Sequence, residues 1–167
     1  SVRDLILGRE NFDLDFVIEG SAIRLAETLE AAYPGRFELV AKHDRFQTAT
    51  VAYYAAHRRE IDLSTARVEY YEFPAALPTV EPSKLEQDLY RRDFTINALA
   101  VCLNPDQYGD VVDFFDGKGD MDRKLIRVLH PFSFIEDPTR IVRAARFASR
   151  LGFTLEAGTR LQAERAI

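Results

Sequence analysis

Asp13-Leu14-Asp15-Phe16-Val17-Ile18 sets two carboxylates at alternate positions of a stretch that reads as a β-strand. Side chains two apart on a strand share a face, so Asp13 and Asp15 are expected side by side. Leu14 and the run Phe16-Val17-Ile18 would anchor the strand in a core. Adjacent carboxylates repel unless a cation sits between them, and a divalent metal is the usual answer. A half-buried strand whose wet face carries two acids is the plainer reading of this stretch taken alone.

On its amino-terminal side, residues 2–7 read as a short helix with Gly8 as its C′ residue. The first residue already falls inside that pattern, so the chain is expected to lack its natural start. On the other side Ser21 N-caps a helix whose apolar stripe is Ile23, Leu25, Ala26, Leu29 and Ala32, stopped by Pro34-Gly35. Residues 37–41, 48–54 and 60–64 read as strands, and Lys42-His43-Asp44-Arg45 as a polar, mobile loop. Pro74, Pro78 and Pro82 break the middle of the chain into an irregular excursion. Ser83-Lys84-Leu85-Glu86 carries a capping-box pattern opening a helix towards Tyr90. The apolar segment after Asn97 is compatible with helix or strand. Residues 111–115 read as a strand and 116–120 as a turn.

From Ser133 the pattern is helical, with Ile141, Ala144, Ala145, Ala148 and Leu151 on one face and Gly152 as its stop. A further helix is expected to begin near Thr159 and to be cut off at Ile167. Strands mixed with helices, then helices alone, predict an α+β fold: a head over residues 1–120 and the start of an all-helical domain over 121–167. Turn composition places the boundary between Gly117 and Pro131.

Composition agrees with a soluble, globular chain: 47% of its 167 residues are hydrophobic and 29% charged. No run approaches the ~20 apolar residues of a membrane span. No basic-then-apolar leader opens the chain. The single cysteine, Cys102, has no partner for an internal disulfide, and a reducing cytoplasm is expected. The net charge of −5 is unevenly spread. Residues 1–120 carry 13 basic and 22 acidic side chains, whereas residues 121–167 carry 9 and 5. An acidic half suits metal ions and a basic half suits phosphates, although a solvated arginine-rich helix gives the same count.

Asp62, in Ile61-Asp62-Leu63, is a third acid between apolar neighbours on a strand. If that strand lies beside the first, Asp13, Asp15 and Asp62 form the carboxylate set of a two-metal phosphoryl-transfer site, for which Mg²⁺ is suited. A surface acid paired with Arg59 or Arg67 is the alternative. Arg91-Arg92-Asp93-Phe94-Thr95-Ile96-Asn97-Ala98 is the most specific stretch of the chain. Its guanidinium forks match phosphate oxygens, and Asn97 can both donate to and accept from a ribose or a base edge. Asp93 and Thr95 can equally serve as helix caps. Asp137 and Arg140 are neighbours on one helical face. Together they could read a base, the carboxylate accepting from an exocyclic amine while the guanidinium donates. Asp137 before Pro138 is also a good N-cap. Arg143, Arg146 and Arg150 continue along that helix, placed to follow an RNA backbone or to solvate the helix.

These residues resemble the class II tRNA nucleotidyltransferases (CCA-adding enzymes) and the bacterial poly(A) polymerases. Residues 2–9, Val-Arg-Asp-Leu-Ile-Leu-Gly-Arg, are similar to the end of that family's G-G-x-V-R-D-x-L-L-G-R motif, and Asp13-Leu14-Asp15 matches its D-x-D. Arg92-Asp93-Phe94-Thr95-Ile96-Asn97-Ala98-Leu99 resembles its sugar- and phosphate-recognition motif. Asp113-Phe114-Phe115-Asp116-Gly117 with Asp120 resembles its hinge-like motif. Glu136-Asp137-Pro138-Thr139-Arg140, followed by Arg143-Ala144-Ala145-Arg146-Phe147, resembles its nucleotide-template motif and neck helix. The five motifs come in family order across nearly the whole chain.

The resemblance implies a polymerase-β-like nucleotidyltransferase head with a mixed sheet. Asp13 and Asp15 would hold Mg²⁺, with Asp62 as third acid. Arg3, Asp4, Arg92, Asp93 and Asn97 would bind the nucleotide, Asp137 and Arg140 would select its base, and Arg143 and Arg146 would meet RNA. An RNA 3′-hydroxyl, that of tRNA above all, would attack the α-phosphate of ATP or CTP and release pyrophosphate. A poly(A) polymerase, an A-only adding enzyme and a non-catalytic nucleotide- or RNA-binding module are the alternatives. The family's two glycines are missing before Val2, and Phe46-Gln47-Thr48 stands where F-G-T is common. Most of the neck and the whole body and tail are absent, so the chain is expected to be a head fragment of a larger protein.

Overall fold

The structure, a computed structural model, describes every residue except Phe12, Pro74, Ala75 and Ile167. In chain order its elements are α1 (Val2–Ile6), β1 (Leu14–Ile18), α2 (Ala22–Ala32), β2 (Phe37–His43), β3 (Thr48–Tyr54), β4 (Arg58–Thr65), β5 (Arg67–Tyr70), β6 (Thr79–Pro82) and α3 (Leu85–Tyr90). There follow β7 (Ala100–Val101), β8 (Val111–Val112), α4 (Gly117–Asp122), β9 (Leu125–Ile126), α5 (Ser133–Glu136), α6 (Thr139–Leu151), β10 (Thr154–Leu155) and α7 (Ala157–Arg165). Packing gathers the chain into two compact units. One comprises Ser1 and residues 3–69 and 79–88, the other Val2 and residues 70–78 and 89–167.

The first unit is built on a four-stranded mixed sheet of order β1-β4-β3-β2. β1 runs parallel to β4, and β3 runs antiparallel to both of its neighbours. α2 covers one face. Ala22 and Ala26, too small to hold the helix off, pack with Ala49, Val51 and Leu63, flanked by Phe16, Ile18 and Ile61. Because strand side chains alternate, Asp15, Asp62 and Thr50 emerge on the other face. The helix is rotated from the expected stripe: Ala22 joins the core, while Leu25 and Ala32 are exposed. Ser21 Oγ accepts from the Arg24 N–H at 3.2 Å, as a cap should, and the Ala22 N–H donates to Thr65 Oγ1 at 3.0 Å.

The expected polar loop at residues 42–45 is absorbed into secondary structure. β2 continues to His43, and Asp44–Phe46 is a single 3₁₀ turn closed by Gln47 at φ +52°. Gln47 holds this left-handed position through its own side chain, whose Nε2 donates to the Asp44 carbonyl at 2.8 Å. The proline-containing excursion also yields a strand pair, β5 with β6. Pro74 and Ile167 lie outside the described residues. At Ser83 the expected capping box is replaced: its hydroxyl meets Gln87, and the Leu85 N–H is capped by Glu19 Oε1 at 2.7 Å.

In the second unit the segment left open by sequence resolves into a 3₁₀ turn, Thr95–Asn97, and the strand β7, antiparallel to β8. β8 stops at Val112, short of the expected Phe115, and residues 117–122 are helical where a turn was expected. Two contacts explain the helix. The Asp113 carboxylate accepts from the N–H groups of Gly117 and Lys118 at 2.8 and 2.9 Å, filling orphan donors of its first turn. Gly117 also lies against the Thr95 carbonyl so closely that a Cβ would sit 2.4 Å from that oxygen. α6 buries Arg140, Ala144, Phe147 and Leu151, while Ala145, expected on that face, is exposed; Gly152, at φ +70°, ends the helix. α7 starts at Ala157, two residues ahead of the expected Thr159. Among the described residues no helix is long and apolar enough to cross a membrane.

Asp120 is the hub of this unit. Fully buried, it accepts from Thr95 Oγ1 at 2.7 Å, Arg123 Nη2 at 2.9 Å and Arg127 Nε at 3.0 Å. Burial pushes its carboxyl up, but the bonds from Arg127, Thr95 and Arg123 outweigh burial and hold it below the usual carboxylate range. A carboxyl so lowered stabilises the fold above its unfolded value of about 3.9, and that contribution is lost as pH falls through the lower folded value.

Two outcomes follow for stability. Gly117→Ala drives a methyl into an immovable backbone carbonyl and lowers unfolding stability by about 1–3 kcal/mol in urea titration; an unchanged midpoint would contradict the packing described. Asp120→Asn costs about 2 kcal/mol at pH 7, with the gap to wild type closing towards pH 3. A gap constant across that range would remove Asp120 as the origin of the acid sensitivity.

Candidate active site

In the first unit, the parallel register of β1 and β4 sets Asp15 opposite Asp62, and the antiparallel register of β3 and β4 sets Thr50 opposite Asp62. Paired strands lie about 4.8 Å apart, so Asp15, Asp62 and Thr50 form one row across the sheet. Thr50 Oγ1 donates to Asp62 Oδ1 at 2.7 Å. Both acids are exposed, and among the described residues neither has a cationic partner. Two unit charges about 5 Å apart repel by roughly 1 kcal/mol in water and several-fold more in a partly desolvated setting. A cation from outside relieves that repulsion.

Asp13 sits one residue ahead of β1. Its N–H donates to Asn11 Oδ1 at 2.8 Å, and its carboxylate is exposed. Among the described residues no three His, Cys, Asp or Glu side chains are grouped closely enough to hold a metal ion by themselves. The row nevertheless fits Mg²⁺ in its donor chemistry. That ion prefers oxygen and commonly rests on one or two carboxylates, completing its shell with water and substrate phosphates.

Arg3 and Asp4, expected at the nucleotide, both face inward. Asp4 is fully buried and accepts from Arg3 Nη2 at 2.8 Å, Ser1 Oγ at 3.1 Å and Asn11 Nδ2 at 2.6 Å. Burial raises the Asp4 carboxyl, while the bonds from Arg3 and Asn11 more than compensate and hold it low. Asn11 therefore bridges two parts of the motif: its amide donates to Asp4, and its carbonyl receives the Asp13 N–H. Sequence reading missed Asn11. Its one signal was an Asx-type residue two places before Asp13, a spacing at which such side chains capture a backbone N–H.

In the second unit Asp93 is buried and forms the centre of its own network. Its Oδ1 accepts from its neighbour's Phe94 N–H at 2.9 Å and from Asn97 Nδ2 at 2.8 Å. Its Oδ2 accepts from Arg143 Nε and Nη2 at 2.8 and 2.6 Å. The structure thus brings Asp93, Asn97 and Arg143 together, with Asp93 orienting the other two. Arg92 is half-buried beside them in sequence.

Asp137 and Arg140 occupy the start of α6. Asp137 Oδ1 accepts from the Thr139 N–H at 3.0 Å and from the Thr139 hydroxyl at 2.6 Å, so the capping role is real. Its Oδ2 lies 3.7 Å from Arg140 Nε. Arg140 is buried, donating from Nη1 to Ser133 Oγ and from Nη2 to the Arg91 carbonyl, each at 2.8 Å. Ser133, also fully buried, carried no sequence signal of this role. Arg146 is exposed, with its guanidinium 5.7 Å from the Phe147 ring centre; Arg143 lies 5.6 Å from the same ring.

Comparison with known proteins gives this arrangement a family. The Poly A polymerase head domain matches residues 1–127. An A-adding tRNA nucleotidyltransferase of Geobacter sulfurreducens is 49% identical over 158 residues, which is 95% of this chain and 17% of that protein. A solved apo form of a CCA-adding enzyme superposes with a TM-score of 0.88 at 48% identity, over 99% of this chain and 38% of that one. A tRNA nucleotidyltransferase complexed with a primer tRNA and an incoming ATP analog superposes with a TM-score of 0.82 at 42% identity, over 99% of this chain and 44% of that one. The chain spans less than half the length of these relatives. With the motifs in order and the head-domain match over most of its length, the chain belongs to the Poly A polymerase head domain family of nucleotidyltransferases.

Proposed function

We propose that the protein containing this chain adds CMP and AMP, from CTP and ATP, to the 3′ end of tRNA with release of pyrophosphate. The observation that carries this reading is the pair of carboxylates, Asp15 and Asp62, set in register on one sheet face with no cationic partner among the described residues. With Asp13 they would hold Mg²⁺. When bound, such an ion lowers the pKa of the attacking hydroxyl and offsets charge on the reacting phosphorus. Residues 1–120 form the head in this reading, and residues 121–167 the start of a neck that is mainly rather than wholly helical, since the short strands β9 and β10 pair within it. Unpaired Cys102 suits a reducing cytoplasm.

The remaining residues are assigned the roles that their chemistry and surroundings support. Arg92 offers a guanidinium fork to phosphate oxygens. Asn97 presents its amide to the sugar or base, its orientation set by Asp93. Asp93 acts through Asn97 and Arg143, since both its oxygens are engaged by the protein. Arg3 and Asp4 support the nucleotide by fixing the turn that precedes Asp13. Asp137 meets the base with Arg140 held rigidly behind it. Arg143 and Arg146 continue towards the RNA backbone. An A-only activity is the second reading, favoured by the name of the Geobacter relative.

The decisive assay incubates the full-length protein with Mg²⁺, labelled ATP or CTP, and tRNA ending in N, NC or NCC. Wild type incorporates label, and Asp15→Ala lowers incorporation by at least about 10²-fold. An A-only enzyme labels the NCC end with ATP and leaves the others unextended. Nucleotide binding without any incorporation would identify a binding module and overturn the proposal. A second outcome isolates Asp137. Asparagine caps helices about as well as aspartate but presents an amide, so Asp137→Asn keeps wild-type stability while shifting the ATP/CTP preference about 5-fold or more. Unchanged preference would leave Asp137 as a cap alone.

A further inference from the structure

We infer that Thr50 is the positioning residue of the acidic row: its hydroxyl fixes the Asp62 carboxylate so that the remaining oxygen is presented to a divalent cation. The inference rests on the reading of Asp62 as a metal-holding acid and adds a residue that the motifs do not contain. It is carried by three observations. Thr50 stands directly opposite Asp62 in the β3–β4 register, and its Oγ1 donates to Oδ1 at 2.7 Å. That bond is the one polar partner of the Asp62 side chain among the described residues. The partner is neutral.

Neutrality is the point of the arrangement. A lysine or arginine opposite Asp62 would fix the carboxylate equally well and would cancel the charge that attracts a metal ion. A hydroxyl donates one hydrogen bond and leaves the full negative charge in place. A free aspartate rotates broadly about its terminal bond, because sp³–sp² torsions have no sharp wells. Threonine is stiff about χ1, being β-branched, and it sits on a paired central strand, so its oxygen is a fixed reference point. With Oδ1 held on the β3 side, rotation of the carboxylate is arrested. Groups that orient metal-holding side chains in this way typically account for 10- to 100-fold in metal affinity.

The test measures Mn²⁺ binding to the full-length protein by electron paramagnetic resonance, without nucleotide or tRNA, for wild type, Thr50→Val, Thr50→Ser and Asp62→Asn. Valine keeps the shape and β-propensity of threonine and removes the donor; serine restores the donor. We expect Mn²⁺ affinity to fall about 10-fold in Thr50→Val, to return to within about 3-fold of wild type in Thr50→Ser, and to fall at least as far in Asp62→Asn as in Thr50→Val. Urea midpoints in the absence of metal are expected to fall below wild type in none of the variants, with Asp62→Asn raised by the repulsion it relieves, which separates orientation from a loss of fold. Wild-type affinity in Thr50→Val alongside weakened binding in Asp62→Asn would overturn the role of Thr50 and leave the Asp62 reading standing. Wild-type affinity in Asp62→Asn would overturn both. Equal loss in Thr50→Ser and Thr50→Val would overturn the hydrogen bond as the cause.

Discussion

The chemistry proposed for this chain depends on one pairing, the parallel register of β1 with β4 that places Asp15 beside Asp62. A shift of one residue in that register would turn one acid into the core and an apolar neighbour out to the wet face. The register is held from the opposite side of the sheet. Phe16, Ile18, Ile61 and Leu63 all belong to the core that includes Ala22 and Ala26 of α2, and any slip would expose them. Hydrophobic burial on one face therefore maintains electrostatic repulsion on the other. Neither acid is relieved by a basic side chain among the described residues, and the one polar contact to the pair is a hydroxyl.

The second unit is organised by the opposite arrangement. Two of its acids are buried and surrounded by donors: Asp120 by Thr95, Arg123 and Arg127, and Asp93 by Asn97 and Arg143. The basic excess of residues 121–167 is accordingly engaged in part within the protein, with Arg140 buried against Ser133 and the Arg91 carbonyl. Asp120 and Gly117 both bear on Thr95, so α4 and the 3₁₀ turn at Thr95–Asn97 are fixed to each other by a bond and by close packing. The turn carrying Asn97 is thereby held from below and the side chain of Asn97 from beside, by Asp93.

Much of this was legible from sequence where local chemistry decides structure. The acidic strand, the Ser21 cap and the Gly152 stop rest on alternation, a side-chain oxygen and a left-handed backbone, all written in a few adjacent residues. Legibility failed where distant groups decide. Asp116-Gly117-Lys118-Gly119-Asp120 has turn composition, yet from Gly117 onward it is helical because Asp113 caps it and Thr95 packs on it. Leu25 looked like a core residue, and Ala22 displaced it because the sheet accepts a helix approaching on alanine. In the site, the acids announced themselves by type. Asn11 and Thr50 did not, since a threonine on a strand reads as a β-former until its cross-strand neighbour is known.

The central claim, that Asp15 and Asp62 together hold a divalent cation, is met most directly by a crystal of the protein grown with Mn²⁺ and examined by anomalous diffraction. The account predicts a single strong peak within ordinary bonding distance, about 2.1 Å, of a carboxylate oxygen from each of the two residues. A peak bound elsewhere on the chain, or an acidic row left without one at saturating Mn²⁺, would contradict it.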